Sequence, residues 1–570
     1  MPEPTRRLKD PIIDEQGHYI AHSILTSVDF TIRGAVYIGS RRVIPIIFVP
    51  GIMGTNLRIR RDVPLPASHP LNPGEQAWRP PNSDASAWFY ARKWGQRTPD
   101  ERQQILNPAV LEIDNEGDLD IAPCNLEHSV MRERGWGEIH TGSYGTLLYE
   151  MQSHLESTFR FDALRKRHVR RRWHEVMREL QQEPLTRWGV RDVEPMTEAE
   201  LEVYADFQYP VYACGYNWLQ SCRESADRLE RRITEILSWW QSRKHECQRV
   251  ILVTHSMGGL VARACAKRIP DKVLGMVHGA MPALGAPIAA RRLACGTEAS
   301  LPANGNLDNY KLGKFADLGG RRPEDTTPVL AVAAGALELL PNQLHPRPWF
   351  HVSCVRTAQS GGESGDYLQL PAETDSSPYN LYRDMDSWFR LINPEIADPA
   401  RLYPLTAGGV RTKINAAIAA AEQFHLELGS YYHPATFAYY GRDKAQLSHG
   451  KLRWVAKVPA GLANVPITAG NVRAARYLAG EPDGARAVEI EGRLSLTFEV
   501  EPPDVSGDGT VGRTSGEGPA GHVRQLFALR GWPHQESFKN RDVILLTHYC
   551  IVKLVQAHPK KCAEHLAVAG

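Results

Sequence analysis

The stretch Arg249-Val-Ile-Leu-Val-Thr-His-Ser-Met-Gly-Gly-Leu-Val-Ala-Arg-Ala264 reads as strand, turn and helix in immediate succession. Val250 to Val253 is an uninterrupted aliphatic run, as a strand covered on both faces requires. Leu260, Val261, Ala264 and Cys265 then recur at helical spacing. Between the two, Thr254 to Gly258 make a sharp corner with Ser256 at its tip. Such a corner pushes a serine Oγ out of the sheet and turns the first amides of the new helix toward any oxyanion formed there. Gly258 allows close backbone passage on the far side, whereas Thr254 stands where the usual G-x-S-x-G has its first glycine. A plain surface Ser-Met-Gly turn would share these letters, so the flanking strand and helix carry the reading. Ser256 is the expected nucleophile.

Working outward, residues 28–40 and Val43-Ile-Pro-Ile-Ile-Phe-Val49 read as strands, the second apolar throughout. It runs into Pro50-Gly-Ile-Met-Gly-Thr-Asn-Leu57, a glycine-bearing loop at the carboxyl end of a buried strand, where α/β sheets place ligands. The Ile52 amide is the natural second donor to an oxyanion. Residues 28–57 are therefore expected to hold the first core strands. Residues 58–204 read as an insertion followed by charged helices, with aromatics at Ala85-Ser-Ala-Trp-Phe-Tyr-Ala-Arg-Lys-Trp94 suited to core packing or to a lid at a lipid boundary. Residues 205–288 return to the core, with an amphipathic helix over 221–243 and strands before and after the elbow. The Pro-rich stretch 289–430 reads as a cap, and 431–556 as the last part of the core. Strands alternating with helices predict a mostly parallel sheet flanked by helices, with large cap insertions.

A serine hydroxyl attacks only when a histidine takes its proton and an acid orients that histidine. In this architecture the acid and then the histidine follow the nucleophile in the chain. Ser506-Gly-Asp-Gly-Thr-Val511 holds Asp508 in a tight turn, downstream of a strand over Leu494 to Val500, although Gly-Asp-Gly is also a common plain turn. Of the 21 histidines, His534 lies in the loop immediately after the last strand, Val523 to Leu529. His548 in the closing helix is the fallback, His522 precedes the strand, and His255 is expected to pack under the turn.

Composition bounds the function. Over 570 residues, 42% are hydrophobic and 23% charged, which suffices for a large folded core. With 67 basic against 65 acidic residues, the net charge of +2 gives no reason to expect nucleic acid as a partner. The run Arg165-Lys-Arg-His-Val-Arg-Arg-Arg172 reads as a solvated helix face. No apolar segment follows Met1 and no run approaches the roughly eighteen apolar residues of a membrane span, so a cytoplasmic origin without a signal peptide is expected. Nine scattered cysteines without metal-type spacing read as free thiols. No metal and no cofactor is called for.

With the elbow, the Pro-Gly-x-x-Gly loop, the Gly-Asp-Gly loop and the late histidine in order, the chain resembles the α/β-hydrolase lipases of the lecithin–cholesterol acyltransferase and lysosomal phospholipase group, which implies the α/β-hydrolase fold with large cap insertions. Pro45 to Leu57, Tyr216-Asn-Trp218, Val253 to Val261, Gly507 to Val511 and the His534 loop carry the resemblance, which covers roughly 40–60, 205–290 and 430–556. It implies Ser256 as nucleophile, Asp508 as acid, His534 as base, and the amides of Ile52 and Met257 as the oxyanion hole. Gly135-Trp-Gly-Glu-Ile-His-Thr-Gly-Ser-Tyr-Gly145 and Val277-His-Gly-Ala-Met-Pro-Ala-Leu-Gly-Ala-Pro287 look more like bacterial lipase effectors of type VI secretion, some of them similar to the eukaryotic inositol deacylase. That resemblance implies a membrane phospholipid substrate, an immunity protein, a component of the secretion apparatus, and delivery into a target cell's periplasm or a host cell. Transfer of the acyl group to an alcohol, or a hydrolase fold that only binds, is the alternative activity.

Overall fold

The computed structural model describes residues 5–7, 11–21, 33–35, 40–82, 84–121, 124, 126–156, 158–161, 166–179, 188–190, 193–301, 305–356, 364–459, 467–481 and 484–557. Its centre is a six-stranded sheet. We number the strands β1 (Ile46–Val49), β2 (Val211–Ala213), β3 (Val250–His255), β4 (Val273–Gly279), β5 (Thr436–Gly441) and β6 (Gln525–Leu529). Their spatial order is β2-β1-β3-β4-β5-β6 and every pairing is parallel.

Alternation along the buried strands divides the core into two layers. Ile46, Phe48, Ile251 and Val253 face one layer, closed by helices α1 (Thr141–His154) and α4 (Arg541–Val555). Ile47, Val49, Val250 and Leu252 face the other, closed by α2 (Cys222–Ser242) and α3 (Gly258–Arg268). Helix α2 buries Ala226, Leu229, Ile233, Ile236 and Leu237, the stripe expected from its spacing, and Ser221 caps its start by accepting from the Arg223 amide. The fold class is therefore as the sequence indicates.

A second six-stranded sheet holds Ser364–Leu370, Phe350–Arg356, Leu452–Val458, Leu494–Val500, Arg486–Ile490 and Arg476–Gly480, in that spatial order. Strands from either side of residue 430 share this sheet, so the division expected there does not separate cap from core. Leu452–Val458 and Leu494–Val500 alternate buried and more exposed residues. They cover the aromatic cluster of Phe350, Trp388, Trp454 and Phe498 rather than extending the central sheet.

Two further expectations change. Most of the strand expected over 28–40 lies outside the described residues, and its described piece, Arg33–Ala35, pairs with Thr5–Arg7 apart from the central sheet. Within the arginine run, Arg167–Val169 is a strand and the helix begins only at Arg171, where Arg171 and Arg172 pair with Glu175 and Glu150. No helix among the described residues is long and apolar enough to cross a membrane.

Helix α3 crosses the end of β1 at Gly258. A Cβ there would stand 2.4 Å from the Pro50 carbonyl oxygen and 2.5 Å from that of Val49. Both are backbone atoms and no side-chain rotation relieves the clash. Gly258→Ala is expected to cost about 1–3 kcal/mol, the usual range for overpacking, and to lower the midpoint of thermal unfolding followed by circular dichroism.

Candidate active site

Ser256 sits between β3 and α3 with φ at +50°, a left-handed conformation unusual for a residue with a Cβ. Its amide donates to the Gly279 carbonyl at 2.8 Å, tying the strained corner to β4. The threonine in place of the motif's first glycine also has a local reason. Thr254 is fully buried opposite His278 in the β3–β4 register, and its Oγ1 shares a 2.8 Å hydrogen bond with His278 Nδ1. Burial pushes the His278 pKa down to about 3, so this is a contact between neutral groups.

The three residues expected to act together are brought together. Ser256 Oγ lies 3.0 Å from His534 Nε2, and His534 Nδ1 lies 2.8 Å from Asp508 Oδ2. Oδ1 of Asp508 accepts from the amides of Thr510 (3.0 Å) and Val511 (2.7 Å). The His534 amide donates to the Asp508 carbonyl at 2.8 Å, so the two loops are joined by backbone as well as side chain. With two backbone N–H groups already donating to it, this carboxyl group serves the imidazole as an acceptor. The ring proton is thereby held on Nδ1, and the Nε2 lone pair faces the serine hydroxyl. All three side chains are buried.

Asp508 does not hang from the strand Leu494–Val500, which belongs to the second sheet. It follows the short strand Val505–Gly507, which pairs with Asp443–Ser448 just beyond β5. Gly509, at φ +87°, then turns the chain back. His534 opens a 3-10 turn, His534–Lys539, soon after β6. His548 is elsewhere: it is wholly buried in α4 against Trp173 and His154. His522 stacks on Tyr432.

Met257 is the N-cap residue of α3 and Ile52 lies in the loop after β1. Neither amide donates to another group among the described residues. Ile52 lines a cavity of about 120 Å³ that also contains Ser256 and His534. Its walls are mainly apolar, with Trp78, Trp218, Phe315, Leu337 and Leu340 among them. In the aromatic segment, which forms the helix Asp84–Gly95, Trp94 packs edge-on against Trp78 behind this wall, while Phe89 is 66% exposed.

One wall is pinned by a buried acid that the sequence reading missed. Glu338 follows Leu337 and accepts from Ser221 Oγ at 2.5 Å and from the Cys222 amide at 2.8 Å, at the start of α2. Its place between Leu337 and Leu339, both of which line the cavity, gives it no helical or strand signature. Tyr144 was missed too, although it lies in the Ser-Tyr-Gly element, which the structure places in the first turns of α1. Its hydroxyl accepts from the Gly51 amide at 3.2 Å and bonds to His255 Nδ1 at 3.0 Å.

The fold is that of an α/β hydrolase. Residues 203–301 match the family described as PGAP1-like alpha/beta domain, a span that includes β2, β3, the elbow and β4. The chain is also similar to one chain of a solved Tle4–Tli4 complex, with 27% identity and a TM-score of 0.69. The alignment covers 90% of this chain and 98% of that one. Comparison with curated proteins gives no match. The similarity to that chain thus runs over nearly the whole length of this one.

Burial raises the Glu338 carboxyl from its ordinary 4.5 to about 7. A raised acid stabilises the fold fully below its unfolded pKa, and that contribution is lost as pH rises through the folded value. Between pH 4.5 and pH 7, Glu338 is thus expected to lower stability progressively, by on the order of 2–3 kcal/mol. Urea unfolding at pH 5 and pH 7.5 should show this slope in the wild type and a shallower one in Glu338→Gln.

Proposed function

We propose that this protein is a serine ester hydrolase that cleaves the acyl esters of membrane phospholipid, or of another long-chain lipid. The observation that carries the reading is the hydrogen-bonded series Ser256–His534–Asp508 opening into an apolar cavity. Ser256 Oγ attacks the acyl carbonyl while His534 Nε2 takes its proton. Asp508 holds the ring in the correct tautomer and stabilises the imidazolium. The carbonyl oxygen becomes an anion and is met by the amides of Ile52 and Met257, a contribution of about 3–4 kcal/mol per donor in comparable sites. His534 returns the proton to the departing alkoxide, then activates a water that releases the fatty acid from the serine.

The apolar wall suits an acyl chain, because each buried methylene contributes about 0.8 kcal/mol to binding. The Tle4–Tli4 similarity supports a wider reading as an exported effector. In that reading the protein is delivered by type VI secretion, acts on the lipid of a target cell, and is restrained in its producer by an immunity protein. Occurrence of the similar chain in a two-protein complex favours the last element.

Lipid products released from phospholipid vesicles test the chemistry. Ser256→Ala is expected to lower hydrolysis by several orders of magnitude, and Asp508→Asn to lower kcat by about 10⁴ with the fold intact. Fatty acid release that survives Ser256→Ala would remove the proposal.

A further inference from the structure

Behind the nucleophile runs a hydrogen-bonded chain that the proposed reaction does not use. Its centre is His255, 2% exposed. His255 Nε2 lies 3.2 Å from the backbone carbonyl oxygen of His534. On its other side Nδ1 meets the Tyr144 hydroxyl at 3.0 Å, and that hydroxyl receives the Gly51 amide at 3.2 Å. The direction of every bond is forced. A carbonyl oxygen only accepts, so the His255 proton is on Nε2. Burial and the neighbouring His534 hold the His255 pKa well below its ordinary value, so the ring is neutral and Nδ1 is bare. Nδ1 therefore accepts the Tyr144 O–H, and the phenol oxygen is free to accept from Gly51.

The chain joins two places that the chemistry must keep in register. Gly51 immediately precedes Ile52, the proposed oxyanion donor, and the other end is the backbone of the proposed base. The rings involved are packed together: His255 lies 4.7 Å from His534 between centroids, and Phe538 meets both His255 and Tyr144 edge-on. Neither the elbow nor the loops after β5 and β6 supply another hydrogen bond from Gly51 to His534 among the described residues.

We propose that His255 and Tyr144 are positioning residues that fix the distance between the oxyanion loop and the base through a one-directional relay, Gly51 N–H to Tyr144 to His255 to the His534 carbonyl. The inference rests on the ester-hydrolase reading above. Neither side chain touches the reacting atoms. Loss of one link loosens the His534 loop relative to the Ile52 amide, which weakens the transition state more than ground-state binding.

The test uses the full chain and p-nitrophenyl esters, with wild type, Ser256→Ala, Tyr144→Phe, His255→Gln, His255→Ala and the Tyr144→Phe/His255→Gln double variant. Thermal unfolding is followed alongside. Tyr144→Phe removes one oxygen and is expected to lower kcat about tenfold with KM within twofold. His255→Gln keeps a donor and an acceptor at the ends of its amide and is expected to retain more activity than His255→Ala. Because the two residues act in one series, the double variant is expected to lose no more than the worse single one. A folded Tyr144→Phe with unchanged kcat, or losses that multiply in the double variant, overturns the relay while leaving the hydrolase reading intact. If Tyr144→Phe fails to fold, His255→Gln against His255→Ala decides: equal kcat values overturn it. Ester hydrolysis unaffected by Ser256→Ala overturns both.

Discussion

The approach of two backbones, helix α3 over the carbonyls that end β1, is the constraint on which the site depends. At Gly258 there is no space for even one carbon between them. That contact sets the elbow and the loop containing Ile52 side by side before any side chain is considered. It also places Ser256 at a helix start, where unpaired amides gather. The unfavourable φ of Ser256 persists because the sheet around it is closed: β3 lies between β1 and β4, and the serine amide is bound to β4. Strain at the corner is thus held by fully buried strands.

The side chains of Ser256, His534 and Asp508 satisfy one another. Asp508 accepts from its two loop amides and from His534, which in turn reaches Ser256. In surroundings of low dielectric such bonds polarise one another, and each is stronger than it would be in water. Apolar walls therefore do more than hold an acyl chain. By excluding water they sharpen the electrostatics of the same three groups.

How far the sequence discloses this depends on the length scale of each feature. Apolar runs at Ile46–Val49 and Val250–Val253 mark buried parallel strands unaided, and the strand-turn-helix around Ser256 is local. Asp508 and His534 are recoverable because chain order and loop position single them out. The second sheet is not, because Phe350–Arg356 pairs with Leu452–Val458 across a separation that no local pattern encodes. Thr254 makes sense only beside His278, and Glu338 only beside Ser221 and Cys222. The same holds for Tyr144, whose partners come from the loop after β1 and from the elbow. Features built from distant partners are those that sequence order conceals.

The route of the chain through the second sheet has a consequence for how the molecule can change. After β4 the chain enters that sheet, returns to make β5, leaves again for Leu452–Val458 to Leu494–Val500, and comes back to deliver Asp508 and β6. The two sheets are stitched together rather than hung from one hinge. A simple excision or transplant of the outer module would sever the path to β5 or to the acid. Diversity at the cavity must therefore come from substitutions on its lining and from lengthening of its loops, not from exchange of the module as a cassette.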